Sequence, residues 1–186
     1  MRFSIFASLA LVGTSLAAPS SSLQKRQEIS NVDFVLDGYK GILKNSEQLI
    51  TKITSMKSGD DVAAVLKEMS TLTADSTKIT EKMIADINKT PGKMTVAAAF
   101  SVAKPSGDVA ISTVTIIDDL VLKKDLFVKA NVHTIVLEDL NKLYEESSKF
   151  VTAAKSKIPD QFVAAASPRF QQLLDSLKKG IDAFKV

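Results

Sequence analysis

The sequence predicts an all-α fold, an antiparallel bundle of five or six helices, and three observations carry that reading. Apolar or small residues recur at Val132, Val136, Leu140, Leu143, Ser147, Phe150, Ala154 and Ile158. Steps of three and four keep such residues on one face of a helix. Comparable stripes occur upstream and downstream, separated by short turns rich in Gly, Pro, Asp and Asn. Cysteine and tryptophan are absent, so no disulfide assists and burial must organise the chain. A helix over 132–158 is about 40 Å long and cannot hide its stripe alone. The other helices must wrap it.

Targeting signals come first in the chain. Arg2, the apolar run 3–12 and small residues up to Ala17-Ala18 have the order of a secretory leader, with Ser15 and Ala17 at the −3 and −1 positions. The run is too short to span a bilayer. Residues 1–17 are therefore expected to be a signal peptide. A polar stretch follows and closes on Lys25-Arg26, a dibasic pair like those cut by kexin-type proteases. This predicts a propeptide over 18–26 and a single mature domain over 27–186, beginning at Gln27.

Processing changes the charge argument. The formal +3 arises from 24 basic and 21 acidic residues, and Arg2, Lys25 and Arg26 leave with the first 26 residues, so 21 face 21. The mature chain is neutral, and Arg169 is its only arginine. A phosphate-reading surface wants a basic patch and several bidentate arginines, so no nucleic-acid partner is expected. About 160 residues suffice for one hydrophobic core.

The first helix is expected over 28–56, where Ile29, Val32, Val35, Leu36, Tyr39, Ile42, Leu43, Leu49, Ile50, Ile53 and Met56 keep helical spacing. Ser46 is a polar gap in that stripe. Gly38 and Gly41 would each cost about 1 kcal/mol relative to Ala, and mark a kink or a close crossing. Lys57-Ser58-Gly59-Asp60 reads as a turn with an N-cap. A second long helix follows, with Val62, Val65, Leu66, Met69, Leu72, Ile79, Met83, Ile84 and Ile87 inward and Thr73, Ser76 and Thr80 interrupting. It ends at Pro91-Gly92. Asn88-Lys89-Thr90 is the chain's N-x-S/T sequon, and Asn88 at this helix end is the expected glycosylation site.

Residues 93–104 read as a short apolar helix, ended by Lys104-Pro105-Ser106-Gly107. Over 108–124 the β-branched content would suit a strand, but length and helical neighbours favour a buried helix. Residues 125–131 either connect to the helix of 132–158 or belong to it, and Pro159 stops that helix. One or two turns follow around Phe162, Val163 and Ala166. Ser167-Pro168 resembles an N-cap with Pro at the first helical position, opening the last helix with Phe170, Leu173, Leu174, Leu177, Ile181 and Phe184 inward.

No catalytic or nucleotide-binding motif occurs, and the sole histidine, His133, cannot supply the paired Glu-x-x-His of a di-metal bundle. Asp118-Asp119 and Glu145-Glu146 read as solvated faces. Neither enzyme activity, metal nor cofactor is expected. Apolar surface remains. Large fillers are scarce, small or polar residues (Ser46, Thr73, Ser76, Ser147) fall near inward faces, and Met56, Met69, Met83 and Met94 are adaptable fillers. These features fit an internal hydrophobic cavity; an ordinary core with Ala and Ser at close crossings is the alternative. The inward stripes give Leu43, Ile50, Met69, Leu72, Met83, Ile117, Val121, Leu140, Leu143, Phe150, Leu174 and Leu177 as its candidate lining. With one arginine, a bound carboxylate is expected to meet hydroxyls, amides or water at the mouth.

Phe127-Val128-Lys129-Ala130, the Val136-Leu140-Leu143 face, Ser156-Lys157-Ile158-Pro159-Asp160-Gln161-Phe162 and Lys179-Gly180-Ile181-Asp182-Ala183-Phe184 resemble the fungal hydrophobic surface binding protein A and cell-wall galactomannoprotein family. The resemblance implies a helical bundle, secretion to the wall or medium, and binding of lipids or hydrophobic surfaces. No Ser/Thr-rich stalk or apolar C-terminal tail is present, so a freely secreted form is the expectation. Two functions follow from it. The bundle encloses a long-chain fatty acid or similar lipid, or its amphipathic helices open to coat a hydrophobic surface and recruit secreted hydrolases.

Overall fold

Among the described residues there are five helices: α1 (Asp33–Ser55), α2 (Val62–Lys89), α3 (Val96–Lys129), α4 (His133–Lys157) and α5 (Asp160–Phe184). The computed structural model describes residues 28–58 and 61–186. The expected signal peptide, the propeptide with Lys25-Arg26, and Gly59-Asp60 of the first turn lie outside the described residues. Two short strands, β1 (Glu28–Ile29) and β2 (Lys93–Met94), pair in parallel with Ile29 opposite Met94. Both of those side chains are buried, so the strands cap one end of the bundle.

Two helices run through prolines that local chemistry marks as boundaries. α3 continues across Pro105, and α5 across Pro168. An interior proline costs about 3 kcal/mol through its lost N–H and ring clash. Burial outweighs that in α3, where Ala98 and Val102 before the proline and Ala110, Ile117 and Leu120 after it are all buried. Ser167, expected as an N-cap, donates its hydroxyl back to the Val163 carbonyl at 2.7 Å and so belongs to a helix already under way. The expected helix start at residue 28 is also corrected: 28–29 is strand, and α1 begins at Asp33, whose N–H is met by Asn31 Oδ1 at 2.9 Å.

The turns have clear causes. Asn131 adopts φ 56° at the end of α3. Its N–H donates to Val128 O at 2.9 Å and that of Val132 to Phe127 O at 3.0 Å, the Schellman arrangement. Thr95 caps α3 by accepting from Ala98 N–H at 3.1 Å. Lys123 and Lys157 reach across to the carbonyls of Met56 and Thr90, at 2.9 and 2.7 Å. Each sets a cation at another helix's negative end.

Each helix has two main neighbours: α1 packs on α2 and α3, α3 on α5, α5 on α4, and α4 on α2. That is a closed ring. Helices about 10 Å wide and about 10 Å apart in such a ring leave an axial gap of about 7 Å. Two groups of buried side chains occupy it. One core gathers Ile53, Met69, Phe127, Leu140, Leu177 and Phe184. The other gathers Val35, Tyr39, Met83, Ile87 and Val102. Near the second core α1 closely approaches α2, where a Cβ on Gly38 would lie 2.2 Å from Met83 Sδ and one on Gly41 2.8 Å from Ile79. Residues of both cores border the middle of the ring.

Candidate functional site: two cavities that meet inside the helix ring

The smaller cavity, about 130 Å³, lies between the two cores. Ser46, Thr73, Ser76, Thr113 and Ser147 line it, where larger side chains would have filled the ring. Part of the lining's polarity, which also includes Thr80 and Asn45, is already used. Thr80 and Thr113 donate to the carbonyls of Ser76 and Val109 on their own helices, at 2.9 and 3.0 Å. Asn45 Nδ2 donates to Ser76 Oγ at 3.1 Å. The rest of the wall is mostly apolar, with Tyr39, Ser106, Asp139 and Arg169 also on it.

The larger cavity, about 550 Å³, opens between the first half of α3 and the first half of α5, with α1, α2 and α4 behind it. Ala99 and Ala103 on one side and Ala165 and Ala166 on the other keep these helices from closing over it. Phe100 and Phe162 meet edge to face at its rim, ring centres 5.3 Å apart. Tyr39, Ser106, Phe150, Arg169 and Phe170 line both cavities and form the wall they share.

Of the residues expected to line a cavity, Met69, Leu72, Met83, Ile117, Leu140, Leu143, Phe150 and Leu177 line the smaller one, and Phe150 also lines the larger. Leu43, Ile50, Val121 and Leu174 line neither. Each lies one residue past a lining position (Ile42, Leu49, Leu120, Leu173), about 100° further round its helix. On α1 the lining stripe is Tyr39, Ile42, Ser46 and Leu49. Ser46, the polar gap in the apolar stripe, is its centre. The larger cavity escaped the sequence reading because alanines marked it; the triplets 97–99 and 164–166 were its signal.

The charged groups sit at the edges. Burial holds the Tyr39 phenol above its ordinary pKa despite an opposing hydrogen bond with Ser106, so it stays a neutral hydroxyl. Burial also raises the Asp139 carboxyl at the smaller cavity, against the hydroxyl of Ser70 that donates to it at 3.2 Å. Lys104 pairs with Asp108 at 2.6 Å on the rim, and Lys155 lies 5.9 Å from the Phe170 ring centre. No group of three or more potential metal-binding side chains occurs among the described residues. No helix among them is long and apolar enough to cross a membrane.

Comparison with known proteins agrees with this architecture. Over its full length the chain is 29% identical to cell wall mannoprotein 1 of Aspergillus fumigatus and 28% identical to that of Aspergillus flavus. It spans 61% and 63% of those relatives' lengths. Among solved structures, it resembles ligand binding domain 1 of the Penicillium marneffei MP1 protein complexed with arachidonic acids. The TM-score is 0.75 at 20% identity, over 83% of this chain and 99% of that one. AFMP4P in complex with palmitic acid aligns with a TM-score of 0.73 at 20% identity, over 83% of this chain and 100% of that one. At these identities the likeness establishes the fold. Residues 26–156 match the description of hydrophobic surface binding protein A, well over half of the sequence. The chain belongs to the hydrophobic surface binding protein A family.

Proposed function

We propose that this protein binds a long-chain fatty acid or similar single-chain lipid between its helices, outside the cell or in the cell wall, without covalent chemistry. The observation that carries the reading is the larger cavity. Its volume of about 550 Å³ falls within the range of about 300–1,000 Å³ typical of small-molecule sites. The smaller, at about 130 Å³, is near the size of an apolar cavity that admits one benzene ring and suits a chain end. Support also comes from the fatty acids bound to the similarly folded MP1 and AFMP4P structures. The cell wall mannoprotein relatives support the location.

Burying about fourteen methylenes gains about 11 kcal/mol gross at about 0.8 kcal/mol each. Lost ligand freedom and side-chain ordering take back several kcal/mol, which leaves micromolar affinity as the expectation. The test is displacement of a fluorescent fatty acid by lipids of increasing length. Saturable binding that strengthens with length is expected; absence of a saturable site overturns the reading.

One observation favours surface coating as a second reading. Phe100, Ile111 and Leu122 are 65, 59 and 79% exposed. Their spacing of eleven holds them on one face of α3. A protein acting by this stripe lowers interfacial tension without saturable lipid uptake. Exposed Asn88, in the last turn of α2, is the proposed glycan site. An unchanged mass after endoglycosidase treatment of secreted material would exclude it.

A further inference from the structure

We propose that Arg169 is the head-group site: its guanidinium, seated against Gly107 where the two cavities meet, binds the carboxylate of a fatty acid whose chain runs inward into the larger cavity, a long chain reaching the smaller one as well. This rests on the fatty-acid reading and narrows it from lipids in general to single-chain acids. It also replaces the expectation that hydroxyls and water alone hold the head.

The first ground is availability. Lys104 is paired with Asp108, Lys149 with Glu146 and Lys179 with Asp118. Arg169 has no hydrogen bond or ion pair among the described residues. A guanidinium carries five N–H donors in a planar fork that fits a carboxylate. Asp108, a carboxylate on the lining of the larger cavity, already has its lysine.

The second ground is the seat. A Cβ on residue 107 would lie 2.3 Å from Arg169 Nη1, so any other side chain would collide with the guanidinium where it now rests. Glycine is a poor helix former, yet it occupies an interior position of α3 here.

The third ground is position. Arg169 lines both cavities and is solvent-exposed, so its charge stays in water at the rim while the walls behind it are apolar. An acid bound there keeps its head hydrated and sends its chain inward. The alternative, a carboxylate driven into the ring, would incur the desolvation penalty of a buried charge. Ser106 and Tyr39 also lie on the shared wall, the Ser106 hydroxyl donating to Ala103 O at 2.9 Å.

The experiment compares laurate with dodecanol as competitors of Nile red at pH 7.5 and low salt, in the wild type, Arg169→Gln and Gly107→Ala. The readout is the ratio of the two affinities. The wild type is expected to prefer laurate by about tenfold, the scale of one charge-assisted contact at a wet rim. Arg169→Gln should bring the ratio to near one. Gly107→Ala keeps the charge and a sound helix but displaces the guanidinium, and should lower the ratio as well. A wild-type ratio maintained in both variants overturns the head-group site while lipid binding stands. Loss in Arg169→Gln alone assigns the effect to net charge and overturns the seat. Displacement by neither competitor in the wild type overturns the fatty-acid reading itself.

Discussion

Asp139 stands on α4 at the edge of the smaller cavity, partly withdrawn from water, with Ser70 of α2 donating to it. Burial raises its carboxyl pKa, and Ser70 and Lys142 only partly offset that. The native state therefore holds this proton more tightly than the unfolded chain, whose value is about 3.9. Its contribution to stability grows as pH falls through the raised folded value and levels off below the unfolded one. Asp61 and Asp86 oppose this, because hydrogen bonds from Lys57 and Ser58, and from Lys82, lower their pKa values in the native state. Asp139→Asn should raise the thermal midpoint at pH 7. The difference from wild type should vanish as pH is lowered toward 4, and a difference independent of pH would contradict the assignment. At this scale periodicity was legible and phase was less so. Leu43, Ile50, Val121 and Leu174 obey the same spacing as their lining neighbours, and only packing against a specific helix decides which of two adjacent residues faces the void.

The elements show what proline chemistry can and cannot say. Pro159 stops α4 as its position suggested, because Ile158 before it is extended, at ψ 137°. Pro105 and Pro168 sit inside α3 and α5 instead. Local chemistry is the same in all three cases. The difference is tertiary, since a break at residue 105 would detach the buried Ala98–Val102 turn from the rest of α3. No single stretch of sequence contains that information. Pro105→Ala restores an N–H to bond the Ser101 carbonyl and removes the ring clash, a gain of up to about 3 kcal/mol. Greater freedom of the unfolded chain returns about 1 kcal/mol of it. A net stabilisation of about 1–2 kcal/mol is expected, read as a higher urea midpoint at unchanged slope. Destabilisation would mean that α3 needs a break at this point.

Across the whole molecule, the ring of five helices is packed at one end and borders cavities in its middle and toward the other, and these regions should answer mutation with opposite signs. At one end Phe127 and Phe184 are fully buried and meet edge to face at 5.9 Å. Phe127→Ala there should cost about 3–5 kcal/mol. The openness of the middle was partly legible: Ser46, Thr73, Ser76 and Ser147 were noted as small or polar on inward faces, and all line the smaller cavity. That the ring closes α2 against α4 and α1 against α3 was not legible, because every stripe suits more than one partner. Ser147→Leu tests the division. Serine is a weaker helix former than leucine, and its side chain faces a void of about 130 Å³ rather than a packed neighbour. Leucine adds apolar contacts without the overpacking that a filled core would suffer, so the lipid-free protein should gain about 1 kcal/mol. At about 2–4 °C per kcal/mol for a chain of this size, the midpoint should rise a few degrees. The same side chain takes space from the end of a bound chain. Affinity for the longest fatty acids should fall about tenfold, while that for short ones, which stay in the larger cavity, changes little. Loss at all lengths, or a fall in stability, would show that Ser147 lies in a packed core.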